Sequence, residues 1–117
     1  MAMPRPTDET KEWFREIVGG PGVLIRPMFG QLGAFVEANV QMFACLFGDR
    51  MGVRVAPERL EEAEALPGVD GFPPGSDRHF RGWVTLPAGT DDDEVTFWVR
   101  GAQETTETLP PKEKKKR

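Results

Sequence analysis

Between Arg26 and Arg54 three apolar runs follow one another with only short turn signals between them. Segments this close can be joined only as an antiparallel meander, because a parallel connection needs a crossover of about a dozen residues or more. Leu32, Ala34 and Val36 face one way in the first long run, about Met28 to Glu37, and Phe29, Gln31, Gly33 and Phe35 face the other. In the second, about Val40 to Phe47, Val40, Met42, Ala44 and Leu46 alternate with Gln41, Phe43, Cys45 and Phe47. Both of its faces are apolar, as expected of a central strand covered on two sides. Met51, Val53 and Val55 alternate with Gly52 and Arg54 in the third, which reads as half exposed and nearer an edge. Ala38–Asn39 and Gly48–Asp49 supply the turns.

Helical signals flank this sheet. Thr7 can cap a helix that opens with Asp8 and Glu9 and carries Trp13, Phe14, Ile17 and Val18 on one face before Gly19, Gly20, Pro21 and Gly22 stop it. Val23 to Ile25 reads as a lead-in or brief edge strand cut off by Pro27. Pro57 suits the start of a surface helix bearing Leu60, Ala63 and Leu66. Residues 67–80 hold too many glycines and prolines for regular structure. Arg81 to Leu86 reads as a fourth strand. Thr90 is placed to cap a last helix in which Val95, Trp98, Val99 and Ala102 recur at helical spacing. The expectation is an α+β fold: an antiparallel meander of four to five strands with two to three flanking helices, in the order α-β-β-β-α-β-α. The organisation expected is a flexible stretch over 1–6, one domain over 7–103, and a disordered basic tail over 104–117.

Charge and side-chain types exclude more functions than they indicate. Residues 1–109 carry ten Lys and Arg against eighteen Asp and Glu, while the last eight carry five bases and one acid. Nucleic-acid binding through so acidic a body is disfavoured, and the basic end reads as a solubilising tail. Cys45 and His79 are the sole residues of their kinds, so no internal disulfide or Cys/His zinc site can form within one chain. No metal and no cofactor are expected. No run approaches a membrane span and no apolar leader opens the chain, so a cytoplasmic protein is expected.

The remaining candidates are weak. Asp91, Asp92, Asp93 and Glu94 lack the alternate ligands and distal Glu of a calcium loop and read as helix N-terminal charge. Ser76, Asp77 and His79 contain the residue types of a triad but sit too close together for the base to lie between nucleophile and acid. Cys45, mid-strand among apolar neighbours, reads as an inert thiol. No catalytic residue is assigned. Arg78, His79 and Arg81 around Phe80 are candidates for anion or ligand contact. Phe29, Phe35, Phe43 and Phe47 are candidates for an apolar contact face, since one layer of short helices need not cover both sides of the sheet. If the helix with Trp13 and Phe14 covered one side and that with Trp98 the other, the protein would stay a monomer.

Several short strings, taken in order, carry a resemblance. Arg26-Pro27-Met28-Phe29-Gly30, then Gly33, Met42-Phe43-Ala44, Gly48-Asp49-Arg50, Arg81-Gly82-Trp83-Val84 and Phe97-Trp98-Val99 together resemble the TfoX N-terminal domain family over about residues 7–103, with the related small YjbR-like proteins as runner-up. The resemblance implies a compact sheet with flanking helices, found in the competence regulator TfoX (Sxy) ahead of a second, helical domain and also free-standing. The free-standing form is expected here, and the family offers no catalytic residues to carry over. Two function classes follow. One is a non-catalytic binding or regulatory module acting through protein–protein contacts, with an unidentified protein partner or as a homodimer. The alternative is a small-molecule-binding domain or minor enzyme using a pocket between the 68–81 loop and the sheet.

Overall fold

The computed structural model describes residues 5–111. The expected flexible start and basic tail fall largely on residues 1–4 and 112–117, which lie outside the described residues. The described residues form a six-stranded, wholly antiparallel sheet in the spatial order β1-β2-β3-β4-β6-β5. Its strands are β1 (Val23–Met28), β2 (Gln31–Val36), β3 (Gln41–Phe47), β4 (Arg50–Arg54), β5 (Asp70–Gly71) and β6 (Trp83–Leu86), and its helices are α1 (Asp8–Val18), α2 (Leu60–Glu64) and α3 (Asp92–Glu107). The α+β class and the run of helix, strands, helix, strand, helix match the sequence reading; the sheet has six strands, because the brief segment before Pro27 becomes a full edge strand (β1) and β5 adds a two-residue strand at the other edge.

Several boundaries differ, each for a local reason. β1 runs through Pro27 because it lies at the sheet edge, where a missing N–H costs little. The first long run is in fact two elements: Phe29 and Gly30, with φ of 50° and 80°, form the β1–β2 turn between the paired Met28 and Gln31. The next turn takes its positive φ at Val40 (56°) and not at Asn39. β4 is central, between β3 and β6, and Met51, Gly52 and Val53 are all buried. Asp91, not Thr90, caps α3, its carboxylate accepting from the Asp93 N–H at 3.0 Å.

α3 also runs past residue 103, where the sequence suggested the chain becomes disordered. Thr106 is fully buried, and the side-chain amide of buried Asn39 donates to Thr106 O (2.8 Å) and Leu109 O (3.0 Å). Thr106 O also accepts from the Leu109 N–H at 3.1 Å, so the Asn39 amide ties the last turn of α3 to the segment that follows it. The β2–β3 turn thus holds the helix end in place.

α1 and α3 lie together on one side of the sheet, so they do not divide its two faces between them. Trp13 Nε1 donates to Asp92 Oδ1 at 2.9 Å, and Arg100 Nη2 donates to Ile17 O (2.7 Å) and Gly19 O (3.1 Å), closing the end of α1. Phe14, Val18, Val95, Trp98, Val99 and Ala102 from the helices bury against Leu32, Ala34, Ala44, Leu46, Val53 and Val84 from the sheet. Burying each large side chain here contributes about 2–3 kcal/mol.

Candidate functional site: the open face of the sheet

The face turned away from α1 and α3 is set by an irregularity in β3. Ala34 pairs with Ala44 and Phe35 with Met42, so Phe43 is an extra residue in that strand. Such a bulge changes the side-chain alternation. Phe43, 0% exposed, turns into the helix-covered core, and Met42 joins Cys45 and Phe47 on the open face. The expected contact face of Phe29, Phe35, Phe43 and Phe47 therefore loses Phe43. Arg54 braces the bulge, donating from Nε and Nη2 to Met42 O at 3.1 and 2.9 Å, with its guanidinium 5.2 Å from the centre of the Trp83 ring.

The open face holds a cavity of about 460 Å³. Met28 and Phe29 wall one side, Met42, Cys45 and Phe47 of β3 line the sheet side, and Phe72, Pro73 and Phe80 close it from the loop before β6. The Phe72 ring fixes that loop wall, lying 5.8 Å from each of Phe47, Phe80 and Trp83. Two mid-strand glycines keep the sheet side low. A Cβ on Gly33 would come within 2.9 Å of Met28 Sδ and 3.1 Å of Met42 Sδ, and one on Gly52 within 3.0 Å of Cys45 Sγ. The thioethers and the thiol lie where side chains would otherwise stand.

The lining is chemically quiet. It contains no Asp, Glu, Lys, Arg or His. Gln31, its one amide, accepts from the Gly48 N–H through Oε1 at 3.1 Å. Burial pushes the Cys45 thiol up to about 12, so the nucleophilic thiolate is essentially absent at neutral pH. At the mouth two aromatic side chains stand in solvent: Phe29 is 84% exposed and Phe80 is 61% exposed. Phe29 also takes a left-handed backbone conformation that a bulky residue rarely adopts.

The polar residues singled out in the sequence do not form a reactive group. Ser76 Oγ is engaged with the Arg78 backbone, donating to its carbonyl at 3.0 Å and accepting from its N–H at 3.1 Å, in a local turn. The His79 ring covers Gly71, and its Nε2 lies 3.8 Å from Asp70 Oδ1. Asp70 is the acid beside this imidazole, not Asp77. The Asp70 carboxylate accepts from the backbone N–H of Gly75 (2.9 Å) and Gly71 (2.7 Å), bonds that hold it below the usual carboxylate range. His79 and Arg81 border a separate, more open cleft together with Glu64 and Asp70, while Arg78 lies outside it. Two carboxylates in the same cleft offset the positive charge an anion would need. Among the described residues no group of three or more His, Cys, Asp or Glu side chains gathers as a metal site. The acidic run Asp91–Glu94 caps α3 and receives Trp13.

Of the expected ligand contacts in the 68–81 loop, His79 and Arg81 border the polar cleft and not the apolar cavity. A cavity does lie between the 68–81 segment and the sheet, yet Phe72, Pro73 and Phe80 line it in place of Arg78, His79 and Arg81. The available signal was the pair of mid-strand glycines, Gly33 and Gly52, which mark a close approach in a strand.

Fold and site together define a small α+β domain with one sealed sheet face and one apolar open face. The model of the TfoX N-terminal domain family matches residues 7–106, and the chain belongs to that family. No curated protein and no solved structure matches the chain.

Proposed function

We propose that this member of a family of small regulatory domains works by binding and not by catalysis, making protein–protein contacts through the rim of the open sheet face. The observation that carries this reading is Phe29. A large aromatic is held in solvent by a turn whose left-handed geometry costs on the order of 1–3 kcal/mol, and such strain persists where function retains it. Phe80 adds a second exposed ring on the far side of the cavity. Exposed aromatics of this kind act as anchors in protein interfaces. The non-catalytic part of the reading is supported by the unactivated thiol, the engaged Ser76 and an apolar lining without an acid or base.

The partner is a second copy of this chain or another protein of the same regulatory system, and the family's link to competence regulation makes a DNA-uptake circuit the context to test first. Among the described residues no helix is long and apolar enough to cross a membrane, and a cytoplasmic setting completes the proposal. Light scattering across a concentration series tests self-association. Cross-linking from a photoreactive residue at position 29, followed by binding of the purified captured protein, tests a heterologous partner. Phe29→Asp should abolish either contact while leaving the melting temperature within a few degrees. A concentration-independent monomer whose position 29 captures nothing that Phe29→Asp releases would refute the protein-contact reading.

A further inference from the structure

We infer that the cavity on the open face is a binding site for a small, uncharged, largely apolar molecule, of a few linked rings or an equivalent alkyl chain. This goes beyond the protein-contact reading and requires no protein partner.

Three parts of the chain that are distant in sequence make the cavity: the β1–β2 turn, strand β3, and the loop carrying Phe72 and Phe80. Its volume of about 460 Å³ falls within the range of small-ligand sites. Glycine inside a strand weakens it, having no side chain to pack. Here Gly33 and Gly52 leave room for Met28, Met42, Cys45 and Phe72 to lie against the sheet, and so keep the cavity deep. Methionine side chains adapt to varied apolar shapes, and two of them form the walls.

The lining also fixes the ligand's charge. A carboxylate, phosphate or ammonium inside the cavity would lose its water without meeting an oppositely charged side chain, and that desolvation is uncompensated. An apolar body gains on entry by removing both surfaces from water. Anionic metabolites and nucleotides are therefore disfavoured. Neutral aromatic or aliphatic molecules fit.

A matched pair of fluorescent probes separates these cases: N-phenyl-1-naphthylamine, which is neutral, and 8-anilino-1-naphthalenesulfonate, which adds a sulfonate to the same ring system. With the full chain, the neutral probe should brighten saturably at one per chain and bind about tenfold or more tighter than the sulfonate, a gap of about 1.4 kcal/mol or more. Met42→Trp, which fills the cavity, should weaken the neutral probe by about tenfold or more. Phe80→Ala, at an exposed position, should weaken it several-fold, and circular dichroism checks that both variants are folded. Non-saturable brightening, equal affinity for the two probes, or affinity unchanged in folded Met42→Trp and in Phe80→Ala would each overturn the inference. So would a dimer that must dissociate before the neutral probe enters, since a second copy would then own the cavity. A monomer whose position 29 captures no protein, with probe binding intact, would count against the protein-contact reading alone.

Discussion

The two faces of this sheet are built from similar apolar residues and end in opposite states. On one side α1 and α3 lock together and seal Phe43, Leu46, Met51 and Val84 at no more than 1% exposure. On the other, Met28, Met42 and Phe47 are only partly buried, and the short segment from Phe72 to Phe80 roofs part of the area, leaving a cavity. The difference lies less in hydrophobicity than in the number of elements available to cover each face. Helices fill a face with interlocking side chains, whereas an irregular loop braced by a few rings leaves space.

That contrast sets a graded series of expected effects. Phe43→Ala should be the most damaging, costing about 3–5 kcal/mol in chemical denaturation because it opens a void in the sealed core. If it cost no more than a change at the cavity mouth, the assignment of Phe43 to the core through the β3 bulge would be wrong. Asn39→Ala should cost about 1–3 kcal/mol, since the end of α3 loses the buried amide that donates to Thr106 O and Leu109 O. Hydrogen exchange should locate the loosening at the end of α3.

Asp70→Asn tests the loop side. The folded carboxyl titrates below its ordinary 3.8 because Gly75 and Gly71 donate to it, so its stabilisation is present above that value and is lost as pH falls through the lower folded value. The wild-type advantage over Asp70→Asn should be small, steady near neutral pH, and shrink below about pH 4. Urea midpoints at several pH values read it directly. Phe80→Ala should be the mildest, within about 0.5 kcal/mol, because the ring is already 61% exposed. A larger loss would mean that the ring is part of the packed fold and not of an accessible rim.

How much of this was legible in the sequence also divides between the faces. Alternation in Gln31–Val36 gave β2 its correct facing, because Gln31 and Gly33 mark one face against Leu32, Ala34 and Val36 on the other. In Met42–Phe47 every position is apolar, so period two cannot locate an inserted residue, and Phe43 was assigned to the wrong side. The extent of α3 past residue 103 escaped because Thr105 and Thr106 carry no apolar period; their support comes from Asn39, 67 residues away from Thr106. The cavity was half legible: Gly33 and Gly52 signalled close approach, but which loop residues would meet them depended on how residues 72–80 fold back. Charge patterns drew attention to Arg78, His79 and Arg81, although an apolar site leaves no such mark.

Three methionines report on the two faces at once. Met28 and Met42 line the cavity, while Met51 is sealed in the core. With methionine methyl groups labelled with carbon-13, adding neutral naphthalene stepwise should shift the Met28 and Met42 resonances along saturating curves and leave Met51 unmoved. Met51 shifting as far as the other two, or all three staying in place up to the solubility limit, would contradict the account of one sealed and one enterable face.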